Sequence, residues 1–154
     1  MTDTAMKAAN YIELGVLYAR EGRYLDAHIN LRHALVGFGK LSLKDVPFML
    51  LSYYGLCLVA LGKDTGRGIA YCRRAVDEAG NRSEYYFNLG KALVFLKRKA
   101  EAITAFQHGL TIDDDPRIEA ELTRLGIRSR PPIPFLPRRH FLNRYVGRLI
   151  RRPS

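Results

Sequence analysis

Three groups of residues in this chain have side chains that could do chemistry. Cys57 and Cys72 could form a redox pair, four histidines could bind a metal, and three consecutive aspartates at 113–115 could bind a cation. The cysteines lie in apolar stretches without redox-motif spacing, so we expect buried thiols in a reducing compartment. The sequence has no phosphate-binding loop, nucleophile elbow or HExxH motif. We therefore predict no enzymatic activity, no cofactor and no small-molecule substrate.

The histidines and aspartates have simpler explanations than metal binding. His33 and His108 occupy corresponding places in two similar segments, and we expect both at solvent-facing helix positions. Asp115 precedes Pro116 at the start of a predicted helix, where a carboxylate can cap backbone N–H groups and suits the helix dipole. We therefore predict no metal site.

The elements that must position these residues are repeated helix pairs. Residues 11–35, 50–76 and 85–110 share one pattern of a large residue, a glycine, a polar turn and then small residues. The glycines are Gly15, Gly55 and Gly90. Apolar and small residues recur at steps of three and four, which predicts a helix on each side of the turn. Because glycine inside a helix costs about 1 kcal/mol relative to alanine, three glycines at one register indicate close helix contacts.

This pattern resembles the tetratricopeptide repeat family, whose unit is a helix–turn–helix of about 34 residues. Gly55 and Gly90 are 35 positions apart, and the segment 63–68 looks like a turn with one extra residue. The second segment is the least faithful, because Gly68 and Cys72 replace the usual small and aromatic residues. The resemblance implies an all-α solenoid of about seven helices within residues 1–127. We place its repeats at about 8–38, 48–80 and 83–115.

A single helix at 116–126 is expected to cap this array. Ile118, Leu122 and Leu125 make one apolar stripe, and Gly126 is a stop signal. Repeat arrays need such a terminal helix to cover their last exposed apolar face.

The resemblance also implies where a partner would bind, because the first helix of each repeat lines a concave surface in this family. We predict that a partner polypeptide contacts the corresponding positions, which are mainly apolar with two edge charges: Ile12, Val16, Arg20, Met49, Leu56, Val59, Phe87, Lys91, Val94 and Phe95. Burial of some of these side chains by neighbouring helices is an equally open interpretation.

One branch of the family grips the C-terminal carboxylate of chaperone peptides with a clamp of basic and asparagine side chains. The clamp positions correspond to Ile12, Val16, Tyr53, Glu84 and Asn88 in this chain. Only Asn88 is of the required type, and Glu84 has the wrong sign. We therefore do not expect a chaperone-tail receptor of that branch.

The net charge of +10 is concentrated at one end of the chain. Residues 1–121 hold 16 Lys and Arg and all 15 Asp and Glu, whereas residues 122–154 hold nine arginines and no acid. The segment 128–154 begins with a proline-rich stretch, and helical spacing returns at about 139–152. The predicted contact residues of this tail are Phe141, Leu142, Arg144, Tyr145, Arg148 and Ile150.

Three interpretations of the tail remain open. It folds back on its own domain, or it lies on an anionic membrane surface, or it binds RNA or another polyanion. Nucleic acid ranks last, because no nucleic-acid fold accompanies the arginines. No membrane span and no secretory signal are expected, which places the protein in the cytoplasm, or peripherally at the inner membrane surface.

The function that we favour from sequence is a non-enzymatic interaction module or adaptor with a protein or peptide partner. The first alternative is an adaptor that acts on a membrane or polyanion through its basic tail. The second is a small secretion-type chaperone, although such chaperones tend to be acidic.

Overall fold

The computed structural model describes residues 3–38 and 46–127 of the chain. These residues form seven α-helices and no strand: α1 (Asp3–Arg20), α2 (Tyr24–Gly37), α3 (Phe48–Ala60), α4 (Thr65–Ala79), α5 (Ser83–Phe95), α6 (Lys99–Ile112) and α7 (Pro116–Arg124). The tail at 128–154, its predicted helix at 139–152 and its six predicted contact residues lie outside the described residues. The all-α prediction is confirmed for the part that the structure describes.

The helices are arranged as three antiparallel pairs followed by one further helix. The pairs are α1 with α2, α3 with α4, and α5 with α6, and α7 packs against α6. Between pairs, α2 packs on α3 and α4 packs on α5. Helix α3 is central, since each residue from Leu50 to Val59 is buried and α3 contributes to both apolar clusters of the core. The prediction of three repeats and a capping helix is therefore confirmed.

The three glycines at one register mark the crossing of the two helices in each pair. A Cβ atom on Gly15 would lie 2.5 Å from Cγ of Leu31, and one on Gly90 would lie 2.3 Å from Cε1 of Phe106. In the second pair a Cβ on Gly55 would lie 2.5 Å from the carbonyl oxygen of Gly68. All three positions therefore require glycine, as the sequence pattern indicated.

The turns inside the three pairs are built alike. The residue at the turn has a positive φ in each case: 77° at Gly22, 61° at Gly62 and 60° at Lys97. The next N–H donates to the carbonyl five residues earlier, as from Arg23 to Tyr18 at 2.9 Å, which satisfies a free carbonyl at the helix end. Helix α4 begins three residues after the positive-φ residue of its turn, whereas α2 and α6 begin two residues after theirs. This confirms one extra residue in the second turn.

Helix α7 begins at Pro116, where the capping helix was expected to begin, and ends at Arg124, two residues before the expected end at 126. The Asp115 carboxylate accepts a hydrogen bond from the backbone N–H of Arg117 at 2.9 Å, with Pro116 at the first helical position. At the other end Gly126 has a φ of 85°, and the N–H of Ile127 donates to the carbonyl of Leu122 at 2.8 Å. Ile118 and Leu122 are buried in the second apolar cluster, so α7 covers the end of the third pair.

Candidate functional site

One side of α5 carries four side chains that contact residues of the first helix pair and of α7. Glu84, Phe87, Lys91 and Phe95 are spaced by three, four and four positions, which places them in one row along the helix. We call this row the inner strip. Its members are half-buried except for Phe95, which is exposed. The inner strip is where side chains of different units come together.

Glu84 is the centre of a polar network that joins four helices. Nη2 of Arg20 on α1 lies 2.5 Å from Glu84 Oε1, and Nε of Arg20 donates to the Tyr53 hydroxyl at 3.0 Å. The Tyr53 hydroxyl in turn donates to the Glu84 carboxylate. On the other side, Nη1 of Arg117 on α7 lies 3.8 Å from Glu84 Oε1. Residues from α1, α3, α5 and α7 are therefore held to one carboxylate.

This network changes the ionisation of its members. Burial would raise the pKa of Glu84, but the hydrogen bonds from Tyr53 and Arg20 outweigh that effect and hold the pKa below its ordinary value. Burial, together with the Glu84 carboxylate, raises the pKa of Tyr53 to about 12. The hydrogen bond to Glu84 raises the pKa of Arg20 further above its usual range. At neutral pH the site therefore holds a carboxylate, a neutral phenol and guanidinium groups.

The other end of the inner strip is held by an ion pair and by aromatic contacts. Nζ of Lys91 lies 2.7 Å from Oε1 of Glu121, whose other oxygen lies 2.7 Å from Nη2 of Arg124. The ring of Phe95 meets the ring of Tyr24 edge-on, with centroids 5.6 Å apart. The start of α2 thus reaches the end of α5 and bridges the first and third helix pairs.

Phe87 lies between the two polar groups of the strip. The guanidinium carbon of Arg117 lies 4.8 Å from the centroid of its ring, close enough for a cation–π interaction. Its ring also packs against the buried ring of Phe106, with centroids 6.2 Å apart. Phe87 therefore has one side fixed by the core and lies close to the arginine of the capping helix.

The structure divides the ten predicted groove residues into three groups. Val16, Leu56 and Val59 are buried in the core. Ile12, Met49, Phe87, Lys91 and Val94 are half-buried, while Arg20 and Phe95 are exposed. The burial of these three agrees with the alternative interpretation, in which neighbouring helices cover some of the predicted groove residues. The role of the other seven in partner binding stays a prediction.

The clamp positions are occupied in ways that differ from a carboxylate clamp. Val16 is buried, and the amide of Asn88 is fully buried and donates to the Ser52 hydroxyl at 3.0 Å. Tyr53 and Glu84 are engaged with Arg20. Ile12 is partly accessible, but its side chain is apolar. These residues thus provide no cluster of cations for a terminal carboxylate.

Sequence reasoning did not identify Tyr24, Arg117 and Glu121 as members of this site. Arg117 and Glu121 lie one turn apart on α7, away from its apolar stripe of Ile118 and Leu122. That spacing was a usable signal for the two charged residues. Tyr24 gave no such signal, because its contact with Phe95 depends on how the first pair sits against the third.

The other candidate residues are placed in simple structural roles. His33 and His108 are exposed, as predicted, and stack on Tyr11 and Tyr86 with centroids 5.3 Å and 6.0 Å apart. Burial raises the pKa of the Cys57 thiol to about 12 and raises that of Cys72 even further. Both thiols are free and buried, so they are poor nucleophiles at neutral pH.

The described residues contain no cluster of three or more His, Cys, Asp or Glu side chains that could hold a metal ion. Among the described helices, none has both the length and the apolar character needed to cross a membrane.

Comparisons with known proteins agree on the fold. Residues 83–116 match the family model described as tetratricopeptide repeat. No curated protein matches the sequence. Among solved structures, the chain is similar to the TPR domain of Arabidopsis OM64, with a TM-score of 0.59 and 16% identity, over 80% of this chain and 97% of that one.

Two further similar structures contain a bound peptide. One is the second TPR domain of human RPAP3 in complex with an HSP70 peptide, with a TM-score of 0.58 and 19% identity, over 81% of this chain and 99% of that one. The other is the first TPR of Spaghetti (RPAP3) bound to an HSP90 peptide, also with a TM-score of 0.58 and 19% identity, over 79% and 92% of the two chains. At these identities the likeness concerns the fold alone.

Proposed function

We propose that this chain, which has the tetratricopeptide-repeat fold, is a non-enzymatic adaptor module that binds a partner polypeptide along its inner strip. The observation that carries the proposal is the convergence of α1, α3, α5 and α7 on Glu84, with Phe87, Lys91 and Phe95 continuing the same row. Side chains from distant parts of the chain form one surface there. A surface held by ion pairs and ring contacts from several helices is preorganised for binding.

The similar structures support a polypeptide as the partner. The RPAP3 and Spaghetti domains are described with HSP70 and HSP90 peptides, and their fold extends over about four fifths of this chain. The present chain differs at the clamp positions, where Ile12 and Val16 are apolar and Asn88 is buried. Its partner is therefore recognised by other groups than a carboxylate clamp.

The side chains that remain accessible define the chemistry of that partner. Phe87, Val94 and Phe95 offer apolar contacts, and Arg117 and Arg124 expose guanidinium groups beside them. A guanidinium carries five N–H donors, and the described ion pairs use only some of these. The partner segment that fits this surface has an apolar anchor residue next to an acidic residue. The anchor residue contacts the apolar side chains, and the acidic residue pairs with a guanidinium group.

A displayed library of peptides, selected on the full chain, tests this proposal. Selected peptides should bind the parent chain in fluorescence anisotropy and lose at least tenfold in affinity with Phe95→Ala and with Arg124→Glu. Ile112→Ala is the control for the first change, because Ile112 is a comparably exposed apolar residue on α6.

Arg67→Glu is the control for the second change. Both arginines are exposed and each pairs with an acid three residues earlier, Arg67 with Asp64 and Arg124 with Glu121. Both controls should bind as the parent does. If no peptide is selected, or if selected peptides bind all four variants equally, the inner strip is not the binding site.

A further inference from the structure

An ion pair joins the second and third helix pairs. Nη2 of Arg73 on α4 lies 3.1 Å from Oε2 of Glu101 on α6. Both side chains line a cavity of about 240 Å³, together with Leu89 and Ala105. A carboxylate of the third pair thus neutralises a guanidinium group of the second pair.

The corresponding place between the first and second pairs has an arginine at both positions. Arg32 and Arg73 each directly follow the residue that packs on the crossing glycine of their pair. Arg67 and Glu101 each lie five residues before that packing residue. Helix α2 packs on α3 as α4 packs on α5, so the two junctions share one arrangement. Arg32 therefore corresponds to Arg73, and Arg67 corresponds to Glu101.

Two tyrosine rings complete this junction. Tyr54 directly precedes the crossing glycine, as Leu89 does in the third pair. Tyr71 directly precedes the packing residue, as Ala105 does. The ring centroids of the two tyrosines lie 6.3 Å apart. Tyr54 is only 8% exposed, yet its hydroxyl makes no hydrogen bond to any described residue. The junction therefore holds an O–H donor that the fold leaves unused.

Three cations lie close to these rings. Burial raises the pKa of Tyr54, and the positive charges of Arg32 and Arg67 oppose that effect. Burial lowers the pKa of His28, and the charges of Lys63 and Arg32 lower it further. The ring of His28 stacks on that of Tyr54 with centroids 5.2 Å apart. Because the interaction between charges weakens with distance, these effects agree with the register in placing the cations around one pair of rings.

The positive charge of this junction is not neutralised by the described residues. Nε of Arg67 lies 3.2 Å from Oδ2 of Asp64. Arg32 and Lys63 are exposed and make no ion pair with any described residue. Three cations are therefore accompanied by one carboxylate, which leaves a surplus of two positive charges.

We infer that the junction of the first and second helix pairs binds a phosphate monoester through Arg32, Lys63 and Arg67, with the Tyr54 hydroxyl as a further donor. We call these four residues the junction site. An anion from outside the chain takes the place that Glu101 fills in the next junction.

The charge and the donors of the junction site favour phosphate over a carboxylate. A phosphate monoester carries about 1.5 to 2 negative charges at pH 7 and three strong acceptor oxygens, which match a surplus of two. A carboxylate would leave one positive charge unbalanced. Guanidinium groups are planar and bind phosphate through two parallel N–H donors. Inorganic phosphate and a phosphorylated side chain of a partner offer the same chemistry, and the probes below separate these two sources.

Nuclear magnetic resonance titration of the full chain tests this inference. The probes are inorganic phosphate and the pentapeptide Gly-Gly-phosphoserine-Gly-Gly with neutral ends. Both should shift the Nε–H signals of Arg32 and Arg67 in a saturable way, whereas the unphosphorylated peptide should not. Tighter binding of the phosphopeptide would assign the group to a partner polypeptide, and equal binding would assign it to a small phosphate compound. Absence of saturable shifts with both probes would overturn the inference.

Substitutions locate the site. Arg32→Gln and Arg67→Gln should each weaken binding by about fivefold or more, because each removes a charge-assisted hydrogen bond. Arg73→Gln is the matched control, since Arg73 has the same place one pair later but is neutralised by Glu101. This control should bind as the parent does. The inference is wrong if the control loses as much affinity as Arg32→Gln, or if the shifts are confined to arginines of the tail at 128–154.

A melting experiment tests the same site by supplying the anion within the chain. Arg32→Glu places a carboxylate opposite Arg67 and Lys63, so this variant should melt at a higher temperature than the parent in chloride. Replacing chloride with phosphate at constant ionic strength should raise the melting temperature of the parent more than that of the variant, because only the parent retains the site. Equal gains in the two chains would contradict phosphate binding at this junction.

The junction site shares no residue with the inner strip, so the two proposals succeed or fail separately. Arg67→Glu, the control in the peptide selection, should leave binding at the inner strip unchanged and weaken the binding of phosphate.

Discussion

Gly55 and Gly68 face each other backbone to backbone where α3 crosses α4. A Cβ on Gly68 would lie 2.7 Å from the carbonyl oxygen of Gly55, and a Cβ on Gly55 would lie 2.5 Å from that of Gly68. In the first and third pairs the corresponding glycine instead receives a large side chain, Leu31 or Phe106. The second pair thus brings its helices together by removing bulk from both sides.

The first prediction concerns this contact. Gly68→Ala should lower the free energy of unfolding by about 1–3 kcal/mol, because the added methyl group meets backbone atoms that cannot move aside cheaply. Urea denaturation measures the change. Gly66→Ala on the same helix is the control, since its Cβ would meet only a carboxylate oxygen of Asp64 at 4.0 Å. The control should be neutral or slightly stabilising, and equal losses in both variants would contradict the prediction.

The second prediction concerns the Glu84 network. Glu84→Gln should lower the free energy of unfolding by about 1–2 kcal/mol at neutral pH, because it removes the charge that Arg20 and Tyr53 hydrogen-bond. The pKa of Glu84 is lowered in the folded chain, so its contribution is present above the ordinary glutamate pKa of about 4.3 and is lost as the pH falls below it.

Urea denaturation at neutral pH and below pH 4 checks both parts. The difference between the parent and Glu84→Gln should shrink at the lower pH. Glu101→Gln is the control, because Glu101 pairs with Arg98 and Arg73 on the exposed side of α6 and should matter much less. A difference that grows on acidification would show that the carboxylate is not stabilised in the folded chain.

The third prediction concerns His28, a buried histidine that stacks on Tyr54 and whose Nδ1 atom has no hydrogen-bond partner. Burial lowers its pKa, and the charges of Lys63 and Arg32 lower it further. The unfolded chain therefore binds a proton more readily, and stability is lost as the pH falls through about 6.5. His28→Phe should reduce the fall in melting temperature between about pH 7.5 and pH 5.5. An unchanged fall would assign that pH dependence to other groups.

The fourth prediction concerns the tail at 128–154 and rests on sequence alone. If the tail docks on its own domain, its deletion should lower the melting temperature. If it lies on a membrane, deletion should leave stability unchanged and abolish salt-sensitive binding to anionic vesicles, where each arginine contributes about 1 kcal/mol. Chains with and without the tail can be compared by calorimetry and by vesicle sedimentation at two salt concentrations. Identical behaviour in both assays would contradict both interpretations.

Much of the fold could be predicted from local signals. The glycine register, the polar turns, the extra residue before α4 and the cap at Asp115 are all recorded in short sequence windows. The departure of Gly68 and Cys72 from the family pattern looked like a weak repeat in the sequence. In the structure it is a closer helix crossing, in which a second glycine takes the place of a side chain.

The candidate site was predicted less completely. The expectation that first helices line the binding surface includes Arg20, Phe87, Lys91 and Phe95, and the structure brings them close to one another. The same expectation includes Val16, Leu56 and Val59, which are buried. Helix periodicity assigns a side chain to one side of the helix but does not tell how far neighbouring pairs cover that side. Tyr24, Arg117 and Glu121, which contact the residues of the inner strip, lie on α2 and α7. The periodicity of one helix does not tell which side chains of another helix it contacts.

The sequence by itself determined the helix pairs, their turns and the position of each glycine contact, because these depend on residues within one repeat. The tertiary structure decided which inner side chains are accessible and that Arg20 reaches Glu84 across 64 positions of chain. It also decided that Arg73 pairs with Glu101 of the next helix pair. The physical reason is that burial and ion pairing depend on the placement of one pair against the next, which no local spacing encodes.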